Sequence, residues 1–294
     1  MRVLLTGGRG FIGRNLLDGL GQDMEVLAPT SHELDLTDQE EVERYVGRNE
    51  FDVVLHAATW NATANSSKNT QLVLEKNLVM FFNLVRLSER FGKMIYFGSG
   101  AEYDRRHYRP FMEEEYFDHH VPVDQYGLSK YIMSKYTERA ENIVALRVFG
   151  CCGPHEDWEI RFISNAMCKA LYGMPITLRQ NVFFDYLWVG DLVQMTRWAM
   201  RHHTRYNHYN ACSGSHIDLL TIAEMVKEVT GSEVPIIVAE PGLKAEYSGT
   251  NARLRREMVD LQITPMREAL ERLRDYYQEN LALIDRSLLM RDKH

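Results

Sequence analysis

The chain has 294 residues, 45% apolar and 26% charged, the balance of a globular protein with room for one large or two medium domains. A formal net charge of −7 excludes a general nucleic-acid binder, which needs a basic footprint, but leaves room for an anionic small ligand in a local basic pocket. Four cysteines without a C-x-x-C pair point to a reduced, cytoplasmic setting, and no apolar run approaches the roughly 18 residues of a membrane span.

The chain opens directly on a strand-like run, Arg2–Leu5, with no signal-peptide pattern. Apolar strands are predicted at Val3–Thr6, Val26–Ala28, Val53–Ala57, Met94–Phe97 and Val144–Val148, separated by helices at Phe11–Leu20, Asp38–Val46, Leu72–Phe91 and Gln125–Arg139. Short apolar strands alternating with helices predict an α/β fold, a parallel sheet covered on both faces and doubly wound by right-handed crossovers. Thr37 with Glu40 reads as a capping box for the second helix. After Gly150 the pattern changes. Cys152-Gly153-Pro154 is a break, followed by a helix over Arg161–Leu171, a turn at Gly173–Pro175, a short strand, and a helix from Asp191 to Arg201. The last third mixes helices with one clear strand, Val234–Val238. Thr221 with Glu224 reads as a capping box, Thr264-Pro265 as a cap and first helical turn, and the tail after Ile284 as a frayed or protruding helix. This part predicts a smaller α/β lobe.

The segment Thr6-Gly7-Gly8-Arg9-Gly10-Phe11-Ile12-Gly13 follows the first strand and opens the first helix. Gly7 permits a tight turn, Gly10 lets the backbone approach a pyrophosphate, and Gly13 lets the helix pack close to the sheet. Free N–H groups at the helix start then receive phosphates. Alone, such a loop is an ordinary strand-to-helix turn; in the first unit of an alternating chain it predicts a dinucleotide site. The second strand runs into Pro29-Thr30-Ser31-His32, with no acid before Glu33 to take a ribose 2′-hydroxyl. Arg9, with Ser31, suits a 2′-phosphate, so NADP(H) is the expected cofactor and NAD(H) the second choice. Residues 1–150 with about 181–212 are expected to form the dinucleotide-binding domain, and about 151–180 with 213–294 the substrate-binding lobe.

Tyr126-Gly127-Leu128-Ser129-Lys130 opens a helix on which positions i and i+4 share a face. A tyrosine with a pKa of roughly 10 exchanges protons poorly at neutral pH. A nearby ammonium favours the phenolate and lowers that pKa, and the same lysine can hydrogen-bond the nicotinamide ribose. Ser99 lies just past the fourth strand, on the carboxyl edge where a doubly wound sheet binds ligands. Its hydroxyl can steady a substrate oxygen while Tyr126 moves the proton. Alone, Tyr-x-x-x-Lys is usually a solvated helix pair; behind the glycine loop and the strand-end serine it becomes the expected catalytic group.

Thr6–Gly13, His56-Ala57-Ala58, Asn77, Ser99 with Tyr103, Tyr126 with Lys130, and Leu146-Arg147-Val148 before Gly153-Pro154 resemble the extended short-chain dehydrogenase/reductase family, of the NAD-dependent epimerase/dehydratase type. So does the run from Asp185 to Asp191. Within that family the chain is most similar to nucleotide-sugar 4-ketoreductases and GDP-fucose synthases, whose run is similar to Glu33-Leu34-Asp35-Leu36-Thr37-Asp38. The resemblance implies that Gly7, Arg9, Gly10, Phe11, Ile12 and Gly13 bind the cofactor. It places Asp35 and Leu36 beside the adenine, Ala57 and Ala58 at the cofactor's middle, Asn77 in support, and Tyr126 and Lys130 at its reactive end. It also implies a homodimer packed through the helix around Val79-Met80-Phe81-Phe82 and the helix of Tyr126.

Family 4,6-dehydratases carry an Asp-Glu pair after the catalytic hydroxyl residue, where this chain has Gly100 and Ala101. GDP-fucose synthases epimerise with a cysteine, here Ala101, and a downstream histidine, for which only His155 stands before Arg161. Ketone reduction needs only Ser99, Tyr126, Lys130 and NADPH. The expected activity is therefore NADPH-dependent reduction of the C4 keto group of a nucleotide-linked deoxysugar. The alternatives are a nucleotide-sugar C4 epimerase with tightly bound NAD(P) and, in another class, a non-catalytic cofactor-sensing binding protein. The arginine the family often has before Asp185 is Phe184 here, with Arg179 or Arg161 as substitutes. No metal site, nucleic-acid partner or membrane partner is expected. His119-His120 and His202-His203 lack ligand spacing, and Cys151-Cys152 reads as buried packing.

Overall fold

The computed structural model describes residues 1–21, 24–61, 63 and 65–289. The first half alternates β1 (Arg2–Thr6), α1 (Phe11–Gly19), β2 (Glu25–Leu27), α2 (Gln39–Arg48), β3 (Phe51–His56), α3 (Val73–Val85), β4 (Phe91–Ser99), α4 (Gln125–Thr137) and β5 (Ile143–Val148). Then follow β6 (Gly150–Cys152), α5 (Phe162–Leu171), β7 (Ile176–Asn181), β8 (Phe183–Phe184), β9 (Tyr186–Trp188), α6 (Val189–Arg201) and β10 (His208–Ala211). The chain continues through β11 (Ile217–Asp218), α7 (Leu219–Thr230), β12 (Ile236–Leu243), α8 (Ala252–Glu257), α9 (Met266–Glu279) and α10 (Arg286–Leu289).

The main sheet has the order β10-β5-β4-β3-β1-β2, and every neighbouring pair is parallel. All six residues of β5 are buried, as a strand covered on both faces requires, including Arg147, the one charge in an otherwise apolar run. One face packs Leu5, Leu16, Ile95 and Leu146 against Leu192 and Met195 of α6. The other packs Leu4, Val42, Phe81, Leu84 and Tyr96 under α2 and α3. A separate core joins α5, α7 and α9 through Ile163, Met167, Ile222, Val226, Leu270 and Leu273. The strand order reverses between β1 and β3, and that reversal opens a crevice at the carboxyl edge.

Several local expectations are corrected. The helix expected over Leu72–Phe91 ends at Val85, because Asn142 Nδ2 donates to the carbonyls of Ser88 (2.8 Å) and Phe91 (3.3 Å) and draws the chain into β4. Asp38, not Thr37, caps α2, accepting from Glu41 N, and Asp218, not Thr221, caps α7, accepting from Thr221 N. A carboxylate is the better partner for free N–H groups at a helix start. Thr264 caps no helix: its N and Oγ1 donate to Asp191 at 2.8 and 2.7 Å. The strand expected at Val234–Val238 runs over Ile236–Leu243, paired in parallel with β7. Ile284 and Leu289 are buried in the second core, so the tail does not protrude as far as Leu289; residues 290–294 lie outside the described residues.

Gly47 lies inside α2, and a Cβ there would make only ordinary contact, 3.6 Å from Arg90. Gly47→Ala should therefore raise unfolding free energy by about 0.5–1 kcal/mol. Urea denaturation checks this, and a lower midpoint would mean that the last turn of α2 is not held as described.

Candidate active site

At the end of β1 the chain turns at Gly7 with φ of +74°. A Cβ on Gly7 would lie 2.6 Å from Ala58 N, and one on Gly13 would strike the Gly7 carbonyl. Only glycine at both positions lets the loop close on the β3 edge; Gly13 thus makes room for the loop itself, where helix–sheet packing was expected. Gly10 is the N-cap of α1 and supplies no side-chain acceptor, which leaves first-turn N–H groups uncapped by a side chain. This cradle, at the point where the strand order reverses, fits a dinucleotide pyrophosphate.

The neighbouring residues are fixed by one another. Ala57 N donates to Thr6 O (3.2 Å), and Ala58 N donates to Thr6 Oγ1 (3.3 Å), which lies 2.9 Å from His56 Nδ1. Burial, with Lys130 nearby, pushes His56 down to about 3, so it is a neutral structural ring. Asn77 Oδ1 accepts from Trp60 N (2.7 Å) and Thr59 Oγ1 (3.2 Å) and pins the turn after β3. Arg9, Ser31 and Asp35 are exposed, Phe11 and Ile12 half-buried, and Leu36 buried. Asp35 Oδ1 accepts from Thr37 N and Oγ1, both at 2.8 Å, and Asn83 Nδ2 donates to Leu36 O at 2.9 Å. Glu33 caps Thr30 N at 2.8 Å and is held below its usual range, first by Thr30 and also by Arg9. The β2 edge therefore carries an acid as well as the cation.

Ser99 ends β4. Its Oγ accepts from Ala101 N (3.2 Å), while Ser99 N donates to Glu102 Oε1 (2.8 Å), a reciprocal cap on the next turn. Glu102 Oε2 accepts from Arg147 Nε at 2.6 Å, and both side chains are fully buried. Burial raises the Glu102 pKa and Arg147 opposes that rise. On α4, Asp124 Oδ1 accepts from Gly127 N (2.8 Å), setting the first turn from which Tyr126 and Lys130 project. Lys130 Nζ donates to Phe97 O (2.8 Å) and lies 4.8 Å from the Tyr96 ring and 5.9 Å from the Tyr126 ring. Burial pushes Lys130 down to about 8, opposed by Glu102.

Serine, phenol and ammonium thus meet at the carboxyl edge of the sheet. The expected lowering of Tyr126 by Lys130 is corrected: burial raises the Tyr126 pKa, and the Ser99 hydroxyl and then Arg161 act against the rise. The lysine proton is directed at a backbone carbonyl, not at the phenol. His155 sits elsewhere, its Nδ1 3.1 Å from Tyr276 Oη. Arg179 is paired with Glu240 (2.7 Å) across β7 and β12. Phe184 stacks at 5.0 Å on Tyr186 and 4.8 Å from Tyr247. Burial pushes both thiols of Cys151 and Cys152 far up. Among the described residues no group of three His, Cys, Asp or Glu could hold a metal, and no helix is long and apolar enough to cross a membrane.

Sequence reasoning missed Glu102, although Ser99-x-x-Glu102 is a legible capping box, and missed Tyr108 and Tyr247. Tyr108 Oη donates to Gly100 O (3.2 Å). A Cβ on Gly100 would lie 2.5 Å from Tyr247 Oη.

A doubly wound sheet with a glycine cradle at its switch point, and a Ser/Tyr/Lys group on the same edge, defines a dinucleotide-binding class of enzyme fold. Residues 3–212 match the NAD dependent epimerase/dehydratase family, and the chain belongs to that family. It is 23% identical over 263 residues to the GDP-L-fucose synthase of Sinorhizobium fredii, covering 80% of this chain and 82% of that one. Its fold is similar to a GDP-L-fucose synthetase from Naegleria fowleri bound to NADP, with TM-score 0.84, 17% identity and coverage of 96% and 93%. It is also similar to the UDP-glucose 4-epimerase of Thermotoga maritima with UDP-glucose, with TM-score 0.82, 21% identity and coverage of 96% and 100%.

Removing one partner of a fully buried ion pair leaves the other charge desolvated and unpaired. Glu102→Ala should cost about 3–5 kcal/mol of stability, read as a fall in the urea midpoint; a loss under about 1 kcal/mol would contradict the burial described.

Proposed function

We propose that the protein is an NADPH-dependent reductase of the C4 keto group of a nucleotide-linked deoxysugar. The observation that carries this reading is the Ser99/Tyr126/Lys130 group at the carboxyl edge, with small residues, Gly100 and Ala101, where dehydration or epimerisation of the GDP-fucose synthase kind would need further acids and bases. The GDP-fucose and UDP-glucose enzymes to which the chain is similar support a nucleotide sugar.

The glycine loop, Gly7, Gly10, Phe11, Ile12 and Gly13, would hold the cofactor phosphates, with Arg9 and Ser31 at the 2′-phosphate. Asp35 and Leu36 would border the adenine, Ala57 and Ala58 the middle, and Lys130 the nicotinamide ribose, with Asn77 bracing the turn beside them. When bound, NADPH supplies hydride to a carbonyl carbon. Tyr126 delivers a proton to the carbonyl oxygen, and Ser99 orients that oxygen. Lys130 carries its positive charge below a pH of about 8, so it adds to the positive potential around the oxygen at neutral pH. Residues 1–150 and 181–212 serve the cofactor and 151–180 and 213–294 the substrate, a division supported by β10 lying in the main sheet. A homodimer through α3 and α4 follows from the family resemblance, and the exposed ring of Tyr136 on α4 leaves apolar surface there for it.

Purified protein should oxidise NADPH with one or two members of a panel of nucleotide-linked 4-keto-6-deoxysugars. Tyr126→Phe should reduce turnover by about a hundred- to ten-thousand-fold while cofactor binding persists. If neither NADPH nor NADH is consumed with any of them, the reductase reading fails; tightly held cofactor with epimer interconversion would then point to the epimerase.

Arg9→Ser should weaken NADPH binding by roughly ten- to a hundredfold, the loss of a charge-assisted bond, and change NADH binding far less. Fluorescence titration of both cofactors measures the difference, and an equal loss for both removes Arg9 from the 2′-phosphate site.

A further inference from the structure

Lys130 is 5% exposed, and its ammonium has three protons to place. Among the described residues one hydrogen-bond acceptor takes one of them, Phe97 O at 2.8 Å. The nearby acid, Glu102, has both oxygens occupied, Oε1 by Ser99 N (2.8 Å) and Oε2 by Arg147 Nε (2.6 Å). An ammonium removed from water with a single acceptor is costly. What faces the rest of it is aromatic: Nζ lies 4.8 Å from the centroid of the Tyr96 ring and 5.9 Å from that of Tyr126.

The nearer ring is held still. Tyr96 is 1% exposed and lies in the sheet between His56 of β3 and Ala145 of β5. Phe81 of α3 meets it edge-on at 5.1 Å, and the His56 ring lies 6.1 Å away. Its hydroxyl has no hydrogen-bond partner among the described residues, so packing alone sets the ring. Burial keeps that phenol protonated, so what it offers the ammonium is a neutral ring face. Such a face attracts a cation, and more strongly where both are out of water. Ring and carbonyl come from successive residues of β4, just before Ser99. We propose that Tyr96 is a positioning residue: its ring face and the Phe97 carbonyl form a seat that holds the Lys130 ammonium charged at the edge where Tyr126 works. The bearing of the seat on turnover rests on the reductase reading; the seat itself does not. The titratable groups facing Lys130 are Tyr126 on its own helix, Tyr96 in β4, Glu102 after β4 and His56 in β3. His56 is neutral and does not repel the ammonium. Burial pushes Lys130 down to about 8 and Glu102 opposes the fall, the same direction in which the ring acts.

The test follows the Lys130 ammonium in the free protein, by NMR of labelled lysine from neutral to alkaline pH, its signal identified by loss in Lys130→Met. Tyr96→Phe keeps the ring face and should leave the Lys130 midpoint in place. Phenylalanines carrying one, two and three ring fluorines at position 96 keep the shape of the ring while drawing electrons from its face. The midpoint should fall with each fluorine, by roughly one unit in all, a tenfold change. The same series at position 81, where the Phe81 ring packs on Tyr96, should not move it. A midpoint displaced by Tyr96→Phe, indifferent to fluorines at position 96, or equally sensitive to those at position 81 overturns the proposal. Neither substrate nor cofactor is used, so a failed reductase assay beside an intact fluorine response removes the reductase reading and leaves the seat.

Discussion

Behind the serine that ends β4, a carboxylate and a guanidinium lie 2.6 Å apart with no solvent exposure, and much of the site is built outward from that contact. Desolvating two charges costs several kcal/mol each unless their remaining hydrogen-bonding capacity is used. Glu102 uses its second oxygen on Ser99 N (2.8 Å). Arg147 Nη1 donates to Tyr103 Oη (3.3 Å), while Nη2 has no hydrogen-bond partner among the described residues and the guanidinium lies 3.9 Å from the Phe117 ring. Tyr103 passes the linkage on to Asn210 Oδ1 (2.7 Å), and Asn210 Nδ2 donates to Met112 O (2.9 Å) and Thr250 O (3.2 Å). One ion pair thereby ties the ends of β4, β5 and β10 to the segment that carries Tyr247.

Of the site, Ser99 inherits its geometry from that network and the other groups from their own elements. Ser99 is set by Glu102 through the backbone, Tyr126 and Lys130 by the Asp124 cap on α4, and the glycine cradle by contact between the loop and the β3 edge. Each group stands on a different rigid element, so little reordering is needed to assemble them. A buried lysine pushed down to about 8 and a half-buried phenol whose pKa is pushed up share one edge of the sheet. The polar groups there act in a lower dielectric than water, where each hydrogen bond counts for more.

The sheet, the glycine loop and the Ser/Tyr/Lys group were legible because each is written locally: apolar runs, a three-residue glycine spacing, and an i, i+4 pair. Helix starts were less legible where two cap-forming residues compete. At Thr37-Asp38 the carboxylate won, and at Asp218 an acid three residues before Thr221 did the same. Glu102 was legible in principle as the fourth residue of a capping box begun by Ser99, but its ion pair with Arg147, 45 residues on, was not. Tyr247 carried no local signal at all. Its place depends on a short ladder with β8 and on rings contributed by Tyr108, Phe149 and Phe184, which only the folded chain brings together.

Phe184 shows what such long-range assembly changes. A cation at that position would be set among rings spaced about 5 Å apart, losing hydration for whatever attraction the ring faces returned. Phe184 instead continues an apolar wall with Tyr186 and Tyr247, and that wall is what holds the Tyr247 phenol over Gly100. Arg179 cannot restore the cation from where it stands, because its guanidinium is paired with Glu240 on the β7–β12 ladder. Arg161, before α5, is the charged group with the largest effect on Tyr126. Arg161 thus opposes the rise that burial causes in Tyr126, while Phe184 takes the place the family often gives to an arginine and packs among rings. The position that lacks a charge gains ring contacts with Tyr186 and Tyr247 instead.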